Sequence, residues 1–244
     1  MSNYILSAER ISKNYGGNSV LRNASVKIKR GEIYGLVGKN GSGKTTLFRI
    51  LTGQIQNFIG KVSVGDTDGN ANRMAAVINT PSLYLNMSAA QNLKSQACLI
   101  GIHDDRKIEQ TLNRVGLKHC GSKAVKDFSL GMTQRLKLAM ALIDSPDILI
   151  LDEPSNGLDP DGIAELRGLL LGINRTSGIT ILVSSHILSE LEQIATRIGI
   201  LHGGMVLHEL DTKEIHANGT NLESVYLSLT RSNTSAYRRR DKSG

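Results

Sequence analysis

A chain of 244 residues is long enough for one large domain with a substantial buried core, and no apolar run in it approaches the ~20 residues of a membrane-crossing helix. Its start, Met1-Ser-Asn-Tyr-Ile-Leu-Ser, lacks the basic and apolar regions of a secretory signal. The net charge of +7 is uneven: +4 lies from Arg231 onward, where Arg231, Arg238, Arg239, Arg240 and Lys242 face Asp241, so residues 1–230 carry only +3. That distribution argues against a helical membrane domain and a uniformly basic nucleic-acid binder. It leaves a chain expected in the cytosol, with a basic tail over 231–244 that is either a solvated, disordered end or a contact for acidic lipid or nucleic acid.

Residues 4–13 and 20–29 cluster or alternate Ile, Leu and Val around Tyr15-Gly-Gly-Asn18, the pattern of an antiparallel hairpin. Tyr15 closes the first strand, where it fits either a packing residue or a face on which a purine stacks. Glu32 to Val37 reads as a short buried strand, and Lys44 to Leu51 places Leu47, Ile50 and Leu51 at helical spacing. Between them runs Gly38-Lys-Asn-Gly-Ser-Gly-Lys-Thr-Thr46, with Gly38, Gly43, Lys44 and Thr45 at the fixed places of a phosphate-binding loop. Glycines let successive amides turn inward on phosphate oxygens, and the helix opening at Lys44 adds the positive end of its dipole. Asn40, Gly41, Ser42 and Thr46 complete the cradle, Lys44 reaches the β/γ-phosphates, and the Thr45 hydroxyl is a Mg²⁺ ligand.

Further along, Gly60 to Gly65 is a short strand, Asp66-Thr-Asp-Gly69 a turn, and Met74 to Ile78 a second buried strand that stops at Asn79-Thr-Pro81. From Ser88, a plausible N-cap, to about Val115 the period becomes helical, with Asp104-Asp105 opening a second helix after Gly101-Ile-His103. Ser129-Leu-Gly-Met-Thr-Gln134 precedes a helix striped by Met132, Leu136, Ala139, Met140 and Ile143, which Pro146 ends. Cys98 and Cys120 have neither metal-ligand nor redox spacing and are expected as buried free thiols.

Asp147 to Asp152 is an apolar strand closing on two acids, Asp152 and Glu153. Ile163, Leu166, Leu170 and Ile173 stripe the next helix, Gly178 to Ser184 is a strand, and His186 falls just past its end. Ile187, Leu188, Leu191 and Ile194 mark another helix, 196–209 reads as two strands around His202-Gly-Gly204, and helical patterns follow over 211–217 and 221–229. His103, His119, His202, His208 and His216 have no evident chemical partner.

Strands alternating with helices predict a mainly parallel sheet covered on both faces, with ligands at the carboxyl ends of its strands. The phosphate loop, the acid pair and His186 each follow a different strand at that edge. Two adjacent acids after a strand can be a solvated turn or a helix cap; beside a phosphate loop they suit Asp152 as a Mg²⁺ ligand and Glu153 as general base for water.

The ordered set of phosphate loop, Ser129-Leu-Gly-Met-Thr-Gln134, Ile148-Leu-Ile-Leu-Asp-Glu-Pro154, Asn156-Gly-Leu-Asp159 and Ser184-Ser-His186 resembles the ATP-binding-cassette (ABC) ATPases over residues 4 to about 209. The resemblance implies an α/β fold: a P-loop NTPase, RecA-like core with a mainly parallel sheet, an N-terminal antiparallel β subdomain and an inserted α-helical subdomain. It divides the chain into one ABC ATPase domain over 1–230, with the core at 1–78 and 146–210, a helical signature subdomain at 79–145 and a C-terminal helical extension at 211–230. It implies that Tyr15 stacks on adenine, that Ser129 and Gly131 form the family signature, that Asp159 signals between two sites and that His186 holds the γ-phosphate and the attacking water. Two cassettes, identical or sister chains, would close head to tail on ATP and drive a separate integral-membrane permease docked near 79–100. The chain would then be peripheral on the inner face of the cell membrane, and no nucleic-acid partner is expected.

Two departures from the family pattern stand out. Phe128-Ser-Leu-Gly-Met132 keeps only the Ser and second Gly of the usual Leu-Ser-Gly-Gly-Gln, and Asn79 replaces the Gln that normally meets Mg²⁺ and the transmembrane partner. An altered residue there, followed by Thr-Pro and an aromatic, together with Ser-Leu-Gly-Met, is similar to bacterial bacitracin-resistance and lantibiotic-immunity exporters. The competing functions are a soluble ATPase acting on nucleic acid or another partner, which usually adds a coiled-coil insertion or second cassette, and a non-catalytic ATP switch, against which Glu153 and His186 speak.

Overall fold

The computed structural model describes residues 4–65, 72–78, 83–217 and 223–229. Asn79, the turn at 66–69 and the basic tail from Arg231 lie outside the described residues. The hairpin forms as read and runs further than its apolar residues do. Strands β1 (Tyr4–Tyr15) and β2 (Asn18–Lys29) stay paired up to Tyr15↔Asn18, leaving a two-glycine turn. Gly16 and Gly17 both have positive φ, 51° and 86°, the combination that a tight turn of native hairpin twist demands. Strand β4 (Ile59–Val64) adds to the other edge of β1, giving a three-stranded antiparallel sheet.

The second sheet has six strands in the order β5-β6-β7-β3-β8-β9. These are β3 (Ile33–Val37), β5 (Met74–Val77), β6 (Ile148–Leu151), β7 (Thr180–Ser185), β8 (Arg197–His202) and β9 (Met205–Asp211). All neighbours are parallel except β8 and β9, which turn back through Gly203-Gly204. Alternate residues divide this sheet between two cores, as a strand's period of two requires. Ile33, Val37, Leu149, Leu151, Ile181, Val183, Ile198 and Ile200 face one core, while Tyr34, Leu36, Ile148, Ile150, Leu182 and Leu201 face the other with the hairpin. Both faces are covered, so β3, β6 and β7 are continuous buried runs.

Helix α1 (Lys44–Leu51) follows β3. Helices α2 (Ala89–Leu99), α3 (Asp105–Arg114) and α4 (Leu130–Leu142) lie between β5 and β6 in the chain and pack on one another. Ser88 does cap α2, in a capping box with Gln91, and Asp104 caps α3. Helices α5 (Pro160–Ser177), α6 (Leu188–Glu192) and α7 (Thr212–Ala217) complete the order, and residues 223–229 are helical.

Several readings need correction. Cys98 is exposed and Cys120 half-buried, both free, because α2 and the short 3-10 turn at Lys118–Cys120 lie at the surface. Strand β5 is at the sheet edge and mostly half-buried, since only β6 flanks it. Gly178 belongs to the preceding helix as its left-handed C-cap, so β7 starts at Thr180 and extends through Ser185. Helix α6 is a single short piece, with Ile187 exposed ahead of it, and α4 ends at Leu142, before Pro146.

Candidate active site

Strand order decides which residues meet. Strand β3, which delivers the phosphate loop, lies beside β7, and β7 beside β6, so three strand ends open side by side. Val37 pairs with Ser185 and Leu151 with Val183, which sets Asp152 next to Ser184. The contacts follow. Thr45 Oγ1 donates to Asp152 Oδ2 at 2.6 Å, and Ser184 Oγ donates to Asp152 Oδ1 at 2.7 Å. The same Ser184 Oγ accepts the Glu153 amide at 2.9 Å.

Lys44 is buried, and its ammonium donates to the Gly38 carbonyl at 2.6 Å and lies 3.0 Å from Glu153 Oε1. The other carboxylate oxygen, Glu153 Oε2, lies 3.1 Å from His186 Nδ1. Lysine, carboxylate and imidazole therefore form one chain across three strand ends. The His186 side chain is the open end, 38% exposed against 4% for Lys44. Glu153 sits at φ 46°, a left-handed conformation that is strained for a non-glycine residue and persists only where the surroundings fix it.

The loop leaves no room for side chains at Gly38 and Gly43, its first and last glycines. A Cβ on Gly38 would lie 2.5 Å from the Leu201 carbonyl oxygen and from Ser42 Oγ, and one on Gly43, at φ 108°, would lie 2.8 Å from Leu21 Cδ2. Gly43 stands immediately before α1, so amides at the helix start face the loop's interior. Ser42 Oγ is buried with no hydrogen-bond partner, an orphaned hydroxyl in a cradle of backbone amides, where a phosphate oxygen would satisfy it. Lys39, Asn40 and Gly41 form its exposed lip, and Thr46 is half-buried in the first turn of α1. For a cation, the available donors are the hard oxygens of Thr45 and Asp152, converging 2.6 Å apart. Among the described residues no group of three or more His, Cys, Asp and Glu could hold a metal. This donor set suits Mg²⁺, which takes one or two protein ligands plus phosphate oxygens and water.

Tyr15 is 45% exposed at the hairpin end, with Lys13 Nζ 4.8 Å from its ring centroid on one face. Ser129, Gly131 and Asp159 form a separate group. Ser129 is the N-cap of α4, accepting from the Met132 amide at 3.2 Å, so the signature residues start this helix and do not precede it. Asp159 caps α5, accepting from the Gly162 amide at 2.9 Å. Leu130 of α4 abuts Gly157, and Leu158 approaches Gly131. No hydrogen bond or ion pair joins this group to Lys44, Glu153 or His186 among the described residues.

Sequence reasoning quoted Ser184 only as a strand end and within the Ser184-Ser-His186 motif and gave it no role, although it positions both acids, and it did not single out Glu190, whose Oε2 accepts from Ser155 Oγ at 2.6 Å and Ser185 Oγ at 2.9 Å. The signal for Ser184 was that motif, at the end of an apolar strand that turns polar in its last two residues. As a whole, the site pairs a buried cation with a carboxylate and an imidazole beside a glycine-rich loop that runs into a helix start, equipment for transferring a phosphoryl group to water.

A family model described as "ABC transporter" matches residues 21–156. The bacitracin transport ATP-binding protein BcrA of Bacillus licheniformis is 42% identical, over 84% of this chain and 69% of its own. The lantibiotic transport ATP-binding protein SrtF of Streptococcus pyogenes is 39% identical, over 91% of this chain and 96% of its own. Among solved structures, cbiO1 from Clostridium perfringens, part of the cbiONQ transporter complex, superposes with a TM-score of 0.79 at 28% identity, covering 97% of this chain and 100% of that one.

Proposed function

The chain belongs to the ABC transporter family as its ATP-binding subunit, an ATPase coupled to transport, and from that premise we propose a mechanism, a partner and a cargo class. The substrate is ATP. Tyr15 stacks on adenine with the ring face that Lys13 leaves open, and Gly38, Asn40, Gly41, Ser42, Gly43 and Thr46 line the phosphates. A triphosphate in the loop competes with Glu153 for the Lys44 ammonium. As Lys44 turns to the β/γ-oxygens, Glu153 is freed from its cationic partner and keeps only His186.

Glu153 then takes a proton from water as the water oxygen bonds to the γ-phosphorus and the bond to the β-phosphate oxygen breaks. His186 holds the γ-phosphate and the attacking water through the ring nitrogen that Glu153 leaves free. Thr45 and Asp152 would hold Mg²⁺, whose charge neutralises the β- and γ-oxygens; Asn79 is proposed to reach the same ion. Ser129, Gly131 and Asp159, which among the described residues make no hydrogen bond or ion pair to Lys44, Glu153 or His186, complete the site of a second cassette, so two chains close head to tail on ATP. In this reading 1–78 and 146–210 are the catalytic core, 79–145 the helical signature subdomain and 211–230 an extension. The chain works at the inner face of the membrane, on a permease docked near 79–100.

The observation that carries the mechanism is the continuous contact Lys44–Glu153–His186 beside Thr45–Asp152. The cargo class follows from the relatives: a peptide antibiotic of the bacitracin or lantibiotic kind, exported. The test deletes the gene and measures susceptibility to bacitracin and to lantibiotics, restoring it with the parent chain or with Glu153→Gln. Increased susceptibility, reversed by the parent and not by Glu153→Gln, is expected, with an integral-membrane protein copurifying in near-stoichiometric amount. Unchanged susceptibility to both compounds would reject the cargo class. Rescue by Glu153→Gln would reject the mechanism.

A further inference from the structure

We propose that Glu190 is a positioning residue for hydrolysis: its carboxylate clamps the turn that carries Glu153 to the strand end that carries His186. The inference rests on the reading of Glu153 and His186 given above and adds a residue outside the motifs that carry the resemblance.

One oxygen does the joining. Glu190 Oε2 accepts from Ser155 Oγ at 2.6 Å and from Ser185 Oγ at 2.9 Å. Ser155 lies two residues past Glu153, in a turn closed by the Asn156 amide on the Glu153 carbonyl at 3.1 Å. Ser185 is the residue before His186, and its Oγ also accepts the Ile187 amide at 2.9 Å, so it braces the backbone on the far side of the histidine. Displacing Glu190 therefore removes a restraint from each side of the 3.1 Å Glu153–His186 contact at once.

Hydrogen bonds set this position because packing does not. A cavity of about 80 Å³ opens between α5 and α6, lined by Ser155, Ser185 and Glu190 together with Leu166, Leu170 and Ile194. Glu153 holds a left-handed backbone at φ 46°, so the turn relaxes unless it is held from outside. Ser184 grips it at the Glu153 amide and Glu190 grips it at Ser155. With only the first grip the turn can pivot, carrying the Glu153 carboxylate away from the line between Lys44 and His186. A displacement of about 1 Å in such a geometry can slow chemistry about 100-fold without touching substrate binding.

Both bonds are donated to Glu190, so what the clamp needs is an acceptor oxygen and not a charge. Glutamine supplies that oxygen and alanine does not, which separates this role from a direct chemical one. The experiment measures ATP hydrolysis against ATP concentration, nucleotide binding and melting temperature for the full chain and for Glu190→Ala, Glu190→Gln, Ser155→Ala and Glu153→Gln. Glu190→Ala is expected to lower kcat by about tenfold or more while KM for ATP changes by less than about threefold. Glu190→Gln is expected to return kcat to within about threefold of the parent.

Should Glu190→Ala fold poorly, Ser155→Ala removes one hydroxyl and keeps the carboxylate, and a several-fold loss in kcat at unchanged KM supports the clamp. A folded Glu190→Ala with the parent's kcat would overturn it, as would a Glu190→Gln impaired as deeply as Glu190→Ala. Full turnover by Glu153→Gln would instead overturn the assignment of the base, whatever the Glu190 variants do.

Discussion

Gly38 tolerates no side chain, and the reason is a neighbour from another strand. The Cβ of an alanine there would stand 2.5 Å from both Ser42 Oγ and the Leu201 carbonyl oxygen. A serine hydroxyl can rotate away, but a strand carbonyl cannot. Gly38→Ala is therefore expected to weaken nucleotide binding by at least about tenfold, roughly 1.4 kcal/mol, measured with a fluorescent ATP analogue; parent-like affinity would contradict this account of the loop. Ser184 gives a second expectation. It is fully buried and bonds a carboxylate and a backbone amide at once, so Ser184→Ala should cost about 1–3 kcal/mol of stability, read from urea denaturation, and lower kcat by loosening both acids. The phosphate loop, the acid pair and His186 were legible because the spacing of their residues is itself the chemistry. The roles of Ser184 and Glu190 were not, because what they do depends on β6 and β7 being neighbours in a particular register, and no local spacing encodes that.

At the scale of elements, the sequence was clearest where a cap and a period agreed. Ser88 does start α2, and the structure adds Gln91 to it, with Ser88 Oγ accepting the Gln91 amide and the Gln91 side chain accepting the Ser88 amide. Ser88→Ala is expected to destabilise the fold by about 1 kcal/mol, seen as a lower urea midpoint with no change in affinity for ATP, since the polar contacts of α2 run to its own cap and lead-in and to α3 and its approach; a loss of ATP affinity would show that α2 bears on the site. Where cap and period disagreed, the boundary moved. Apolar periodicity from Met132 onward hid that Ser129 is already an N-cap, which moves Gly131 into the helix's first turn. The stripe Ile187, Leu188, Leu191 and Ile194 suggested a helix spanning all four, yet α6 covers only Leu188–Glu192, with Leu191 its buried anchor and Ile187 exposed. Apolar residues at the right interval show which face is buried, and they do not fix how many turns form.

At the scale of the whole molecule, the parallel sheet and the separate antiparallel hairpin were both legible, the first from its apolar runs and the second from its two-glycine turn, but the order of the strands within the two sheets was not. A partly buried ionic cluster, away from the phosphate loop and built by residues distant in sequence, joins those sheets. Arg197 of β8 reaches Glu32 at 2.8 Å and Glu209 at 3.7 Å, lies 5.2 Å above the Tyr34 ring and bonds the Lys27 carbonyl of the hairpin. Glu32 in turn accepts the Lys29 amide at 2.7 Å, and Tyr34 donates to Glu209 at 2.6 Å. Burial lowers the Arg197 guanidinium, but Glu32, Glu209 and Tyr34 outweigh it and hold it above its ordinary value; burial, then Glu209, pushes the Tyr34 phenol up. For Glu32, burial outweighs the Lys29 amide and Arg197, so its carboxyl lies above the usual 4.5. The native state therefore keeps the Glu32 proton at pH values where the unfolded chain has released it. Glu32's contribution to stability is then greatest below pH 4.5 and declines as pH rises from there through its native pKa. Other groups titrate in the same range, so the quantity to measure is the unfolding free energy of the parent minus that of Glu32→Gln, taken by urea at several pH values upward from 4.5. Loss of the Arg197 ion pair in the variant sets an offset, and the slope isolates the carboxyl. The difference is expected to fall as pH rises and then level off. A difference that rises with pH would mean that Arg197 outweighs burial, and that the clasp between the two sheets is held by charge attraction more than it is burdened by desolvation.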